Sequence, residues 1–148
     1  KDYPQVERDQ FHIDILCAHF VQHPDWFDVV VASNLFGDIL SDLGPAVVGG
    51  MGVAAGANLN PEKEFPSMFE PVHGSAPDIA GKNIANPIAC FWTAEMMLEH
   101  LGESEAASLL MEAIEDTIKE GKVLTRDLGG TASTQEVTLS VIDKLMKR

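Results

Sequence analysis

Basic residues are scarce in this 148-residue chain. There are 10 lysines and arginines against 23 aspartates and glutamates, and the net charge at pH 7 is −13. A surface of this sign gains no counterion-release energy from a nucleic acid backbone, and anionic membrane surfaces repel it. The acidic cluster at residues 99–120 is most simply a solvated helix face. The charge balance therefore argues against nucleic acid and membrane surfaces as partners.

Cysteines and long apolar runs are also few. Cys17 and Cys90 form neither a CxxC pair nor a Cys/His ligand spacing, so we expect buried free thiols in a reducing cytoplasm. No apolar run approaches the length of a membrane span, and the N-terminal sequence carries no secretory signal. The hydrophobic fraction of 45% is that of a globular chain.

Apolar periodicity and breaker residues predict an α/β fold with helices concentrated in the C-terminal half. Residues 26–33 form a continuous apolar, β-branched run, typical of a strand buried on both faces of a parallel sheet under helices. Extended pieces are predicted at 57–61 and 67–72, a flexible glycine-rich segment at 49–56 and a loop at 73–81. Helices are predicted at 6–22, 36–48 with an interruption at Gly44-Pro45, 86–101, 104–120 and 134–146. The expected start signals are Asn86-Pro87 and Ser104, and the expected stop signals are Gly102 and Gly121.

Two carboxylates, Asp38 and Asp42, follow the predicted strand four residues apart. On a helix this spacing puts both on one face, and carboxylate oxygens are ligands that Mg²⁺ and Mn²⁺ prefer. The alternative is that Asp38 merely favours the positive helix N-terminus and that Asp42 is solvated. Asp14 lies between two isoleucines in the first predicted helix. Taken alone, this position favours the exposed edge of the apolar stripe. From spacing alone, a divalent-metal site and a solvated acidic face both remain open.

A second constellation lies in the loop at residues 73–81, His-Gly-Ser-Ala-Pro-Asp-Ile-Ala-Gly. Gly74 and Ser75 leave backbone N–H groups free to approach an anion such as a pyrophosphate. Asp78 can accept hydrogen bonds from a ribose diol and would repel a 2′-phosphate. An ordinary polar loop is the alternative. The G-x-G-x-x-A match at residues 50–55 follows a helix instead of a strand, so we reject it as a Rossmann loop.

Four motifs together resemble the C-terminal part of the isocitrate/isopropylmalate dehydrogenase family of metal-dependent β-decarboxylating dehydrogenases. They are Asn-Leu-Phe-Gly-Asp-Ile-Leu-Ser-Asp-Leu at residues 34–43, Phe-Glu-Pro-Val-His-Gly-Ser-Ala-Pro-Asp-Ile-Ala-Gly-Lys at 69–82, Ala-Asn-Pro at 85–87 and Asp-Leu-Gly-Gly-Thr at 127–131. They occur in the family's order and spacing, and the resemblance covers nearly the whole chain. It implies an isopropylmalate-dehydrogenase-like α/β fold, partial here, with a parallel or mixed sheet flanked by helices in a single segment, 1–148.

The resemblance also implies site residues. Asp38 and Asp42 match metal ligands of one subunit, and Asp14 matches a third ligand from the neighbouring subunit of a homodimer. The implied metal is Mg²⁺ or Mn²⁺, with K⁺ as an optional further ion. NADP-linked isocitrate enzymes carry a Lys-Tyr pair where this chain has Asp78-Ile79, so NAD is the expected cofactor. The residues implied to bind it, from the nicotinamide end through the phosphates and ribose to the adenine, are Glu70, Gly74, Ser75, Ala76, Asp78, His73 and Asn86.

The implied reaction is oxidation of a 2-hydroxy dicarboxylic acid with NAD and a divalent metal, followed by loss of CO₂. Residues 31–35, 56–61 and 82–87 look most like tartrate and D-malate dehydrogenases, with 3-isopropylmalate dehydrogenase close behind. The family's catalytic Lys and Tyr lie upstream of this segment, so we expect this chain alone to be inactive. A non-catalytic metal- or nucleotide-binding oligomerisation module is the alternative from another functional class.

Overall fold

The computed structural model describes residues 3–148. The chain divides into two compact units, Lys1–Val48 and Gly49–Arg148, and each has its own internal packing. None of the helices in the described part combines the length and the apolar character that a membrane span requires.

The first unit contains two helices, α1 at Ile13–Gln22 and α2 at Asn34–Val48, which pack against each other. Leu16 of α1 and Leu40 of α2 are buried. The predicted start of α1 at residue 6 is wrong, because residues 7–10 are all polar and give a helix no apolar face to bury. The predicted interruption of α2 is also wrong: the helix continues through Pro45, which removes one N–H donor without ending it.

The segment before α2 does not form the predicted strand. After a single 3-10 turn at Pro24–Trp26, residues 27–33 have no regular structure. Val29 and Val31 are 87% and 95% exposed, so the expected burial on both faces is wrong as well. An extended segment needs a neighbouring strand for its N–H and C=O groups, and none of residues 3–148 pairs with this one.

The second unit holds the two strands of the described residues, β1 at Ala55–Asn58 and β2 at Met68–Pro71. They pair antiparallel, with Ala55 opposite Pro71 and Asn58 opposite Met68. The pairing within residues 3–148 is therefore not the parallel or mixed one expected. The reason is the short connection at residues 59–67, because a parallel pair needs a crossover of about a dozen residues or more.

Three helices complete this unit: α3 at Ile88–Leu101, α4 at Ser104–Glu120 and α5 at Thr134–Met146. Helix α3 packs against both strands and against α4, and α4 packs against α5. The predicted extents of α4 and α5 are confirmed, and so are the stops at Gly102 and Gly121, both in the left-handed conformation. The core residues are Ile88, Leu110, Ala113, Ile114, Val137 and Val141.

The starts of these helices differ in how they are capped. At α5, Ser133 Oγ accepts from the N–H of Glu136, and the Glu136 carboxylate accepts from the N–H of Ser133. The cap predicted at Ser104 is wrong, because Glu103 is the N-cap residue and its side chain makes no capping bond. Helix α3 begins at Ile88, whose N–H donates to Asn86 Oδ1 at 2.9 Å. The N-cap residue of α3 is Pro87, one residue after the predicted Asn86, but the Asn86 side chain still accepts from the first N–H of the helix.

Both cysteines are free, as expected. Cys17 is half-buried, but Cys90 is exposed, so the prediction of a buried thiol is wrong there. Cys90 follows the buried Ile88 and Ala89 on α3, and the helical turn of about 100° per residue carries it away from the core.

Candidate functional site

The α2 carboxylates Asp38 and Asp42 lie one helical turn apart on the same face, and both are exposed. Helix α2 follows the irregular segment at residues 27–33, and the Gly37 N–H donates to the Ser33 carbonyl at 2.7 Å. Ser41 Oγ donates to the Asp38 backbone carbonyl, not to its carboxylate. Within residues 3–148, neither carboxylate joins a side-chain hydrogen bond or an ion pair.

This donor set fits a hard divalent cation. Each aspartate offers oxygen ligands, and no described lysine or arginine competes for them. Two carboxylates fill only part of the coordination sphere of Mg²⁺ or Mn²⁺, and substrate oxygens and water normally complete such a sphere. Asp38 and Asp42 could therefore hold a metal that remains accessible to a substrate.

Asp14 is exposed in the first turn of α1, and its Oδ1 accepts from the Ile15 N–H at 2.8 Å. The exposed edge of the helix is thus its observed place. The described residues contain no group of three or more His, Cys, Asp or Glu side chains that could hold a metal ion. The structure of one chain therefore does not bring Asp14 together with Asp38 and Asp42, and a contribution from a neighbouring subunit stays a prediction.

The candidate cofactor loop, residues 73–81, connects β2 to the segment before α3 and has no regular structure, as predicted. Its start is tied to the sheet, because the Val72 N–H donates to the Ala54 carbonyl at 3.1 Å. His73 Nδ1 bonds to the Gly74 carbonyl at 3.0 Å, and because a carbonyl oxygen only accepts, Nδ1 is the donor. The side chains of Ser75 and Asp78 are exposed.

The backbone of this loop is turned twice. The Ile79 N–H donates to the Ala76 carbonyl at 3.0 Å, and the Lys82 N–H donates to the Ile79 carbonyl at 3.1 Å. Ala76 has a φ of +40°, a conformation that few residues other than glycine adopt. The loop therefore presents exposed residues 74–76 two positions before the exposed Asp78, and free backbone N–H groups followed by a carboxylate can accept a phosphate and a ribose.

Glu70 lies on β2 opposite Gly56 of β1, and its side chain is exposed. A Cβ atom at position 56 would lie 3.1 Å from the Glu70 carbonyl oxygen and 3.3 Å from Val72 Cγ2. Gly56 therefore allows β1 to lie close to β2 at the residue implied to contact the nicotinamide end of a cofactor.

Asn86 differs from the other predicted cofactor residues because it is buried and its side chain is already engaged. Its Oδ1 accepts from the Ile88 N–H, and its Nδ2 donates to Asp127 Oδ2 at 2.8 Å. Asp127 precedes Leu128 at the end of the 3-10 turn Arg126–Leu128. One N–H of the Asn86 amide and its backbone remain for any ligand.

Sequence reasoning missed two residues here, Asp127 and Gly52. Asp127 opens one of the four family motifs, but no role followed from its sequence position. Gly52 belongs to the rejected G-x-G-x-x-A match. A Cβ atom there would lie 2.5 Å from Asp127 Oδ2 and 3.0 Å from Asn86 Cβ. The glycine is required by close packing on this pair, a reason that no pattern of residues 50–55 could reveal.

Comparisons with known proteins agree with these observations. Residues 1–142 match the isocitrate/isopropylmalate dehydrogenase family. The chain is 60% identical to tartrate dehydrogenase/decarboxylase of Pseudomonas putida, over 98% of this chain and 41% of that protein. It is 55% identical to the decarboxylating D-malate dehydrogenase of Escherichia coli K12, over 99% of this chain and 42% of that protein. The chain therefore spans about two-fifths of the length of these relatives.

Solved structures give the same result for the fold. The crystal structure of isocitrate dehydrogenase from Methylococcus capsulatus has a TM-score of 0.92 and 42% identity, covering 97% of this chain and 42% of that chain. The apo form of a β-decarboxylating dehydrogenase from Thermococcus kodakarensis has a TM-score of 0.78 and 40% identity, covering 91% and 39%. The partial isopropylmalate-dehydrogenase-like fold expected from the sequence is thereby confirmed. The chain belongs to the isocitrate/isopropylmalate dehydrogenase family.

Proposed function

We propose that this chain supplies the metal ligands and one half of the cofactor site of a β-decarboxylating dehydrogenase. Its substrate would be a 2-hydroxy dicarboxylic acid, tartrate or D-malate before 3-isopropylmalate. The observation that carries the proposal is the pair of α2 carboxylates, Asp38 and Asp42, which make no side-chain hydrogen bond or ion pair within residues 3–148, in a chain 60% and 55% identical to relatives named for tartrate and D-malate. The free thiols agree with a reducing compartment such as the cytoplasm.

In this proposal Asp38 and Asp42 hold Mg²⁺ or Mn²⁺ through their carboxylate oxygens. The bound metal supplies a Lewis acid for the hydroxyl and carboxylate oxygens of the substrate. Asp14 of a second copy of the chain adds a third carboxylate, so the site is shared across a homodimer. Its exposed position on α1 is compatible with a ligand that serves another subunit.

The cofactor is NAD, bound along the loop at residues 73–81. Bound NAD is the hydride acceptor. The exposed backbone of residues 74–76 approaches the pyrophosphate, while His73 and Asn86 lie towards the adenine and Glu70 towards the nicotinamide. Asp78 accepts hydrogen bonds from the adenosine ribose, and its negative charge repels the 2′-phosphate of NADP.

The metal proposal is tested by titrating Mn²⁺ into the purified chain and into the double variant Asp38→Asn, Asp42→Asn. We expect the variant to bind Mn²⁺ about tenfold more weakly or worse, since both anionic ligands are lost. Glu112→Gln, Asp116→Asn on α4 is the matched control: it removes the same charge from an i, i+4 acidic pair that Arg148 already occupies. Equal affinity for Mn²⁺ in the site variant and the wild type would contradict the proposal.

The substrate proposal requires an enzyme assay on the whole protein. Mn²⁺-dependent reduction of NAD is measured with D-malate, tartrate and 3-isopropylmalate in parallel. We expect kcat/KM to be higher for D-malate or tartrate than for 3-isopropylmalate. A preference for 3-isopropylmalate would favour the second substrate class, and the absence of NAD reduction with all three would leave only a binding role for this chain.

A further inference from the structure

The segment between the candidate cofactor loop and α3, residues 82–87, is held from two sides. On one side lies the start of α5: the Thr134 N–H donates to the Asn83 carbonyl at 3.0 Å, and the Gln135 N–H donates to Asn83 Oδ1 at 3.2 Å. Thr134 Oγ1 also donates to the Ala85 carbonyl at 2.5 Å. Asn83 adopts a φ of +56°, so the chain turns sharply where these bonds fix it.

On the other side lies Asp127, which accepts from Asn86 Nδ2 at 2.8 Å across 41 residues of sequence. The two partners settle the orientation of the Asn86 amide. The Ile88 N–H needs an acceptor and the Asp127 carboxylate needs a donor, so a flipped amide would oppose like groups at both ends. Asp127 thus selects the one amide orientation that also caps α3.

Gly52 covers this pair closely, since a Cβ atom there would be 2.5 Å from Asp127 Oδ2 and 3.2 Å from Asn86 Nδ2. The backbone at position 52 therefore leaves the Asn86 side chain little room to move to another partner. A buried amide with its donor and acceptor both matched is costly to reorient.

We propose that Asp127 is a positioning residue for the cofactor site: through Asn86 it fixes the end of the 73–81 loop and the adenine side of the NAD-binding surface. This inference rests on the proposed NAD site. Asp127 itself does not touch the cofactor in this account. Its contribution is to hold the Asn86 backbone and the remaining amide N–H in one place before the ligand arrives, which lowers the ordering cost of binding.

The experiment measures two quantities for the whole protein and its variants. The first is the hydrogen-exchange rate of the Ile88 amide, which reports the Asn86 cap without any ligand. The second is the Kd for NAD and for ADP-ribose, which lacks the nicotinamide and keeps the adenosine and the pyrophosphate. Asp127→Ala should make the Ile88 amide exchange about fivefold faster and raise both Kd values about threefold to tenfold, because the part-buried hydrogen bond that holds Asn86 is lost.

Two further variants separate positioning from loss of stability. Asp127→Asn keeps an acceptor for Asn86 Nδ2 and should leave the exchange rate and both Kd values within about twofold of wild type. Asp116→Ala removes an aspartate of the same unit. Asp116 accepts from Arg148, which follows α5 in the chain, and it makes no hydrogen bond to the loop at residues 73–81. This variant should lower the unfolding temperature without changing either Kd.

The outcomes distinguish the inference from the function on which it rests. Unchanged Ile88 exchange in Asp127→Ala overturns the positioning role. Faster exchange with unchanged NAD affinity, while Asp78→Ala still weakens NAD, overturns the inference and leaves the NAD site standing. An equal loss of affinity in Asp116→Ala would assign the effect to stability instead. If the wild-type whole protein binds neither NAD nor ADP-ribose, the proposed NAD site fails and the inference fails with it.

Discussion

Ser67 Oγ lies 3.1 Å from His100 Nε2 and joins the connection between β1 and β2 to the end of α3. The same oxygen accepts from the Asn60 N–H at 2.9 Å and keeps a proton and a second lone pair for the imidazole. The Lys63 ammonium donates to the His100 backbone carbonyl at 2.8 Å. A single serine thus closes a small polar network that holds the hairpin against the helix.

Replacing Ser67 with alanine should therefore destabilise the second unit. Loss of both contacts is expected to lower the free energy of unfolding by about 1–2 kcal/mol. Urea unfolding followed by circular dichroism measures the change. Ser108→Ala on the exposed face of α4 is the control, and it should be neutral or slightly stabilising because alanine favours a helix. Equal unfolding midpoints for Ser67→Ala and the wild type would show that the network adds nothing.

Gly52→Ala should also be destabilising, for a steric reason. The added methyl group would lie 2.5 Å from Asp127 Oδ2 and 3.0 Å from Asn86 Cβ, so those residues must shift. Overpacking of this kind costs about 1–3 kcal/mol of the free energy of unfolding. Gly74→Ala is the matched control, because its Cβ atom meets no other atom within 4 Å. A thermal midpoint for Gly52→Ala as high as that of Gly74→Ala would contradict the close packing.

The capping box of α5 should make stability depend on pH. The backbone N–H of Ser133, and to a smaller extent its hydroxyl, donate to the Glu136 carboxylate. These two hydrogen bonds hold the pKa of Glu136 below the ordinary value of 4.5. A depressed pKa in the folded state contributes stability that is present above pH 4.5 and is lost as the pH falls through the lowered pKa. Glu136→Gln keeps the hydrogen bond but not the charge. The stability advantage of the wild type over this variant should therefore disappear at low pH.

Chemical unfolding at a series of pH values measures that difference. Glu62→Gln, on the exposed connection between the strands, is the control for a general loss of negative charge. A constant difference between wild type and Glu136→Gln from neutral to acidic pH would show that the charge of Glu136 has no part in the cap.

Asp78→Ala should change cofactor choice. Without the carboxylate, NAD loses a charge-assisted hydrogen bond to its ribose, so its affinity should fall by about tenfold. NADP should lose less or even gain, because the repulsion of its 2′-phosphate is removed. Asp78→Asn keeps hydrogen-bonding atoms without the charge and should relax the discrimination with a smaller loss of NAD affinity. Unchanged Kd values for both cofactors would count against the ribose contact.

The helices of the second unit could be predicted from sequence because their signals are local. Apolar spacing defines α4 and α5, while Gly102 and Gly121 end α3 and α4 within a residue of the expected position. The i, i+4 placement of Asp38 and Asp42 followed from helix geometry alone.

The failed predictions depend on parts of the chain that are distant in sequence. The β-branched run at Val29–Val31 has strand composition, but pairing is decided by a neighbour that residues 3–148 do not provide. Asn86 and Asp127, which are hydrogen-bonded, lie 41 residues apart in the sequence, and no repeating pattern of residues signals the contact. Local spacing and the resemblance to a family therefore predicted which residues could do chemistry, and the fold showed that Asn86 bonds to Asp127.

The exposed valines at positions 29 and 31 have a consequence for how the chain behaves in solution. They are exposed apolar side chains in a segment whose backbone pairs with no strand of residues 3–148, and chains associate on surfaces of this kind. The net charge of −13 opposes that association by mutual repulsion. This repulsion has a range of about 30 Å at 0.01 M salt but only about 3 Å at 1 M. The chain should thus resist association best in dilute buffer, where the repulsion between negatively charged chains acts over the longest distance.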